Sequence, residues 1–191
     1  VLCSGWTSSE VLQSRWGSDY AANMQRLQSL AARTGQTVLL YNGQPAAACY
    51  HAISSGHTEA SQNVWGGQLP YLCGVDSAWD KFADGYEVTI QYSAEQVRTA
   101  LEELGLTPDD SPESWVGAST WDKAGYVRTL ELCGQMVSGL EVRKALDLRS
   151  TCFAIAWRGG QFVITTRGYG HGVGLSQYGA KAMAEGGAGW E

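Results

Sequence analysis

Cys152-Phe153-Ala154-Ile155-Ala156-Trp157-Arg158-Gly159-Gly160-Gln161-Phe162-Val163-Ile164-Thr165-Thr166-Arg167 is the stretch on which the fold turns. Apolar, β-branched and aromatic residues fill Cys152 to Trp157 and Phe162 to Arg167. Between them Arg158-Gly159-Gly160 supplies the glycines that a tight reversal requires. The stretch reads as two antiparallel strands joined by a hairpin. Directly after it comes Gly168-Tyr169-Gly170-His171-Gly172-Val173-Gly174-Leu175-Ser176-Gln177-Tyr178-Gly179-Ala180. Glycine alternates with larger residues over seven positions, a pattern that weakens a strand and lets the backbone approach a neighbour closely. A glycine-punctuated turn is expected there, opening into a helix from about Ser176 to Ala184.

The same signals recur upstream. Asn42-Gly43, a strong two-residue hairpin signal, separates a β-rich run from Thr37 to Tyr41 and a second from Pro45 to Ile53. Tyr86 to Tyr92 and Tyr126 to Cys133 alternate in strand fashion. Ser93 with Gln96, and Ser138 with Glu141, form capping boxes that open helices ending near Leu104 and Leu146. Ser8-Ser9 caps a helix that Gly17 ends, and an amphipathic stretch runs from Asp19 to Arg33. Thr107 to Lys123, with two prolines, reads as a linking loop. These elements predict an α+β fold: a mainly antiparallel, hairpin-rich sheet, open to barrel-like closure, with peripheral helices. There is no internal repeat and no linker long enough to argue a second domain, so residues 1–191 are read as one domain.

Composition narrows the function. Hydrophobic residues make up 44% of the chain and charged residues 17%, which excludes a disordered chain. The net charge of -6 argues against a nucleic-acid partner, which needs a basic face. No apolar run has the roughly 18–20 residues that span a bilayer. The chain opens on Val1 rather than Met and is expected to be a piece of a longer protein. Five cysteines (Cys3, Cys49, Cys73, Cys133, Cys152) form no C-x-x-C pair, which speaks against a zinc ribbon. Cys49, His51 and His57 fit no standard metal spacing, so no cofactor is expected. The phosphate-loop signature G-K-[ST] is absent, and a nucleophile elbow around Ser176 fails because Tyr178 stands where glycine is needed.

Two polar loops remain as candidates. One is the turn around His171. The other is His51-Ala52-Ile53-Ser54-Ser55-Gly56-His57-Thr58-Glu59, which presents hydroxyls, an imidazole and a carboxylate together. Such groups hold sugar hydroxyls, and the Trp65 and Tyr71 that follow offer aromatic faces suited to sugar rings.

Several segments together carry a family resemblance. They are Thr34-Gly35-Gln36, Tyr41-Asn42-Gly43, Tyr50 to Glu59, Val64-Trp65-Gly66-Gly67 through Pro70-Tyr71-Leu72, Ser77-Ala78-Trp79-Asp80, Gly139 with Val142-Arg143 to Thr151, and Gly168 to Ala180. From about Trp16 onward the chain resembles the stage II sporulation protein D (SpoIID) family. That resemblance implies a peptidoglycan lytic transglycosylase acting in engulfment during sporulation. Such enzymes cut between N-acetylmuramic acid and N-acetylglucosamine and leave anhydro-muramic ends. It implies glycan strands stripped of stem peptides as substrate, with a sporulation cell-wall amidase and membrane engulfment proteins as partners. It also implies an extracytoplasmic, envelope location and a membrane-anchored parent. Ser54, Thr58, Glu59, Tyr71, His171, Ser176 and Gln177 match positions near the substrate. The family's general acid lies in a Glu-Met-Pro motif that this chain lacks. The acid is therefore expected upstream of Val1, with the family's N-terminal segment missing, and Glu59 is the first candidate should that be wrong. Cys73 stands where many members carry a basic residue. Cys3 has none of the neighbouring histidines that bind zinc in some members. The alternative is a non-catalytic wall-binding or amidase-enhancing module.

Overall fold

The structure, a computed structural model, describes residues 7–35 and 37–190. Cys3 and Gln36, on which two of the readings above fall, lie outside the described residues. The chain divides into two compact units, Val1–Ala47 and Ala48–Glu191.

In the first unit Ser8 caps α1 (Ser9–Trp16) by accepting from the Val11 amide, and Gly17 ends it. A 3-10 turn, Gly17–Asp19, leads into α2 (Tyr20–Thr34), which closes at Gly35. β1 (Leu40–Tyr41) and β2 (Gln44–Pro45) pair antiparallel across Asn42 and Gly43. Both turn residues have positive φ, at 51° and 75°, as a primed hairpin turn demands. The strand expected from Pro45 to Ile53 does not form in one piece. Ala46 N adds a bond to Leu39 O at 2.8 Å, and the named strand gives way to a run of alanines, which are weak strand formers.

The second unit starts with β3 (Tyr50–His51), α3 (Ser61–Trp65) and a 3-10 turn at Ala78–Phe82. Then come β4 (Glu87–Tyr92), α4 (Ala94–Glu103), β5 (Val116–Trp121), β6 (Val127–Leu132), β7 (Gln135–Ser138) and α5 (Gly139–Ala145). The chain ends with β8 (Phe153–Arg158), β9 (Gln161–Arg167), β10 (Leu175–Ser176) and α6 (Gln177–Glu185). The hairpin of the opening stretch is β8–β9, and β9 also pairs with β4. A second antiparallel sheet orders β5-β6-β7, and β3 pairs with β10 in parallel. The fold is α+β and mostly antiparallel. The described strands form separate sheets and close no barrel.

The expected loop from Thr107 to Lys123 holds β5. Its strand signal is masked by Gly117 and by register shifts against β6, so the polar and apolar residues do not alternate cleanly. The core lies between the two antiparallel sheets' apolar faces and the helices α4 and α5. Trp115 stacks on Phe162 with ring centroids 5.6 Å apart, and Leu101, Leu130, Leu132, Val142 and Ile164 fill the space around them.

Both capping boxes form. Ser138 Oγ accepts from the Glu141 amide at 3.2 Å, and Glu141 accepts from the Ser138 amide at 3.0 Å. At the far end of α4, Leu106 N bonds to Leu101 O and Gly105 N to Glu102 O, the paired closure that a glycine after a helix permits. Ser138→Ala should cost about 1 kcal/mol of stability, read as a lower urea midpoint at unchanged slope. An unaltered midpoint would show that the box contributes nothing to α5.

Candidate functional site

The two polar loops singled out in the sequence lie against each other. Residues 49–59 and 168–178 are joined along their backbones. Ala52 N and Ile53 N both donate to Tyr169 O at 3.1 Å, and Tyr169 N returns a bond to Ile53 O at 2.7 Å. Glu59 N donates to Gly172 O at 2.7 Å, Leu175 N to Cys49 O at 3.0 Å and Tyr178 N to Ala52 O at 3.1 Å. The alternating glycines make this possible. Gly168, Gly170, Gly172 and Gly174 all have positive φ. A Cβ on Gly172 would meet Tyr126 Oη at 2.6 Å, and one on Gly174 would collide with the Cys49 carbonyl. No larger residue fits either place.

Buried side chains brace the joined loops. Asp80 is fully buried; it accepts from the Ser54 amide at 2.8 Å and from Ser176 Oγ at 2.7 Å. Ser176 in turn caps α6 by accepting from Gly179 N at 3.2 Å. Ser54 Oγ accepts from Gly56 N, and Thr58 Oγ1 accepts from Val75 N at 2.9 Å. Tyr126 Oη accepts from Ser55 N and donates to His57 O at 3.1 Å. Its pKa is pushed up to about 12, chiefly by burial. Ser54, Thr58 and Ser176 are thus sealed in the frame that holds the loops.

Glu59 is 4% exposed and held on both oxygens. Oε1 accepts from Ala60 N at 2.7 Å and Asn63 Nδ2 at 2.8 Å; Oε2 accepts from Arg128 Nη2 at 2.7 Å. Arg128 also pairs with Asp122, whose Oδ1 accepts from Ala124 N and Tyr126 N. Burial first, and the neighbouring Asp122 carboxyl second, raise the pKa of Glu59 above its ordinary value. A small pocket of about 80 Å³ opens beside it, lined among others by Asn63, Arg128 and Ser138.

Around His171 lies an aromatic group. Its ring centroid is 5.0 Å from Trp65 and 5.9 Å from His51, and Trp65 is 51% exposed. His171 Nδ1 accepts from the Val173 amide at 3.1 Å. His51 donates Nδ1–H to Val173 O at 3.2 Å, and its buried Nε2 has no hydrogen-bond partner among the described residues. Burial lowers the pKa of both imidazoles; for His171 the charges of His51 and Arg143 add to the effect. Both shifts favour the uncharged ring.

The structure joins the loops that carry Glu59 and His171 through the Glu59 N to Gly172 O bond, and links Ser54 and Ser176 through Asp80. Tyr71 is half-buried on the loop after α3, which Ser61 ties back through Gly67 O and Leu69 N. Gln177 is exposed in the first turn of α6. Arg128, Asp122 and Tyr126 were not singled out by sequence reasoning. They sit in or beside an ordinary alternating strand, where nothing in the spacing marks them. Among the described residues no three His, Cys, Asp or Glu side chains are placed to hold a metal ion.

The fold and this loop pair define an α+β protein whose site is built on two joined loops rather than on a strand end or a cofactor cradle. Comparison with known proteins places it further. The chain is 37% identical over 181 residues to stage II sporulation protein D of Bacillus amyloliquefaciens, covering 94% of this chain and 51% of that protein. It is 36% identical to stage II sporulation protein D of Bacillus subtilis over the same shares. An amidase enhancer of Bacillus subtilis is 26% identical over 208 residues, covering 81% of this chain and 29% of that protein. Over nearly its whole length the chain is similar to the stage II sporulation protein D family. It spans about half the length of these sporulation relatives. No family model matches it.

Two outcomes follow from the geometry. Gly174→Ala should cost about 2 kcal/mol or more, since strain at positive φ adds to the backbone collision. Gly159→Ala, also at positive φ but with open space around it, should cost about 1 kcal/mol. Equal losses in urea unfolding would show that close approach at Gly174 is not required. The histidines give a pH dependence. Their folded pKa values lie below the ordinary 6.5, so the unfolded chain binds more protons in that window. Their contribution is complete above pH 6.5 and is lost as pH falls through the lowered values. His51→Asn should flatten the fall in urea midpoint between neutral and mildly acidic buffer; an unchanged slope contradicts the assignment.

Proposed function

We propose that this chain forms the glycan-holding part of a sporulation protein that cleaves peptidoglycan strands by lytic transglycosylation. The observation that carries the reading is the joined loop pair, in which Glu59 N bonds to the carbonyl of Gly172, the residue after His171, whose ring lies against the half-exposed Trp65. The match to stage II sporulation protein D over 94% of the chain supports it. A half-exposed indole beside a neutral imidazole suits the apolar face and hydroxyl edge of a hexosamine.

The reaction needs little from the protein. The 6-hydroxyl of the muramic residue attacks its own anomeric carbon, and the bond to the departing N-acetylglucosamine oxygen breaks. Intramolecular attack of this kind has an effective molarity of up to about 10⁵–10⁸ M. One carboxyl group protonates the leaving oxygen and then takes the proton of the attacking hydroxyl. Hydrolysing glycosidases use two flanking carboxyl groups instead. No water and no enzyme nucleophile enter.

Glu59 is a poor proton donor for this step despite its raised pKa. Both its oxygens accept from Ala60, Asn63 and Arg128, so a proton there has no open path to a sugar oxygen. We assign Glu59 the role of a positioning carboxylate. The proton donor is placed outside these 191 residues, consistent with the missing Glu-Met-Pro motif. By the same reading the substrate is glycan stripped of stem peptides, and the whole protein works at the cell envelope beside a wall amidase. No helix of the described residues is long and apolar enough to cross a membrane. A second reading, an amidase-enhancing module, draws on the 26% identity to the amidase enhancer.

The test is to incubate the chain, and separately a family protein containing Glu-Met-Pro, with amidase-stripped glycan strands and to look for anhydro-muramic ends by mass spectrometry. The longer protein should release them and the chain alone should not. Release by the chain, abolished in Glu59→Gln, would overturn the assignment of the donor. No release by either, with a faster amidase in their presence, favours the second reading.

A further inference from the structure

Besides the small pocket at Glu59, the described residues hold one of about 570 Å³ that Ser55 helps to line. Lys81, Arg167, Tyr86 and Trp121 line it together with Ser55 and Cys152, and no Asp or Glu does. That is unusual in a chain with 19 acidic and 13 basic residues. The surroundings keep the cationic character. Arg167 pairs through Nε with Glu87 at 2.8 Å, and its other nitrogens meet no acidic side chain among the described residues. Asp122, next to Trp121 in sequence, is occupied by Arg128 and by the amides of Ala124 and Tyr126. Burial raises the Cys152 thiol to about 11, so it stays protonated and adds no negative charge.

The cation is also held in place. The aliphatic stem of Lys81 lies over Gly56, where an added Cβ would meet Cγ at 3.2 Å and Cδ at 3.3 Å. A lysine packed along a glycine presents its ammonium with less freedom to lose on binding. Across the pocket Trp121 is 56% exposed, and the Tyr86 hydroxyl donates to Ser55 O at 2.8 Å. Two cations and a free indole face in one cavity select a ligand with a negative group and an apolar ring face.

We infer that this pocket, lined by Lys81, Arg167 and Trp121, binds a hexosamine carrying a carboxylate, with the sugar face on the indole and the carboxylate between the two cations. The inference rests on the glycan reading above and adds to it a second contact point on the strand. Ser55 links the two places: its amide bonds to Tyr126 Oη in the loop frame, and its Oγ donates to Ala124 O at 2.7 Å in the pocket wall. A polymer held at both would be fixed in register.

Binding to the 191-residue chain can be followed by NMR through the indole N–H of Trp121, assigned with Trp121→Phe. N-acetylmuramic acid, N-acetylglucosamine and lactate are titrated in turn. N-acetylmuramic acid should shift the Trp121 signal saturably and bind about fivefold or more tighter than either of the others. Lys81→Met keeps the stem over Gly56 and removes the charge. It should bring the affinity for N-acetylmuramic acid down to that for N-acetylglucosamine, while the rest of the spectrum stays in place. Equal affinities for the two sugars, lactate binding as tightly as N-acetylmuramic acid, or no effect of Lys81→Met would each overturn the inference. The readout involves no cleavage, so a chain that binds here while no anhydro ends form leaves the pocket standing and removes only the reaction.

Discussion

Two backbones can lie as close as residues 49–59 and 168–178 do only if one of them carries no side chains at the points of contact. The four alternating glycines meet that condition: all have positive φ, and a Cβ on Gly168, Gly170 or Gly174 would strike residues 49–54 of the facing loop. The result is a ladder of bonds in a region with almost no regular secondary structure. β3 and β10 are only two residues each, yet the loops around them are fixed by bonds from Ala52, Ile53, Glu59, Tyr169, Leu175 and Tyr178. Everything placed on those loops inherits that order, including the carboxylate of Glu59 and the ring of His171.

Buried charge reinforces the arrangement in two places. Asp80 joins the first loop, through the Ser54 amide, to the start of α6, through Ser176. Arg128 joins Glu59 to the turn before β6, through Asp122. A buried carboxylate is costly to desolvate, and each of these recovers the cost through several donors. Removing Arg128 leaves the Glu59 and Asp122 carboxyls without their cation, and removing a donor to Asp80 leaves a buried oxygen without its bond, so both sites hold the loops by the penalty of opening as much as by attraction. Such an interaction gives a loop-borne site the rigidity that strands and helices give elsewhere.

Much of the scaffold is legible in the sequence because its signals are local. The glycine pair at Gly159-Gly160, the capping boxes at Ser93 and Ser138, and the Asn42-Gly43 turn each act within a few residues, and each forms. What failed depends on distant partners. β5 has no clean alternation, and exists because β6 offers it an edge. The Tyr50–His51 segment reads as part of a hairpin with Thr37–Tyr41, yet pairs in parallel with Leu175–Ser176, more than a hundred residues away. The candidate site divides the same way. The two loops announce themselves by glycine spacing and clustered polar groups, whereas Arg128, Asp122 and Asp80 become visible only once the chain is folded. Ser54, Thr58 and Ser176 show the converse. Hydroxyls in a polar loop look available in sequence, and burial shows them bonded inside the frame.

The account stands or falls on whether the two loops are locked together in solution. Native-state amide hydrogen exchange, read residue by residue, measures this directly. The amides of Ile53, Glu59, Tyr169 and Leu175 should exchange only through an opening close in free energy to global unfolding, as slowly as core amides of β9. Exchange of those four amides at rates typical of exposed loops, while β9 stays protected, would contradict it.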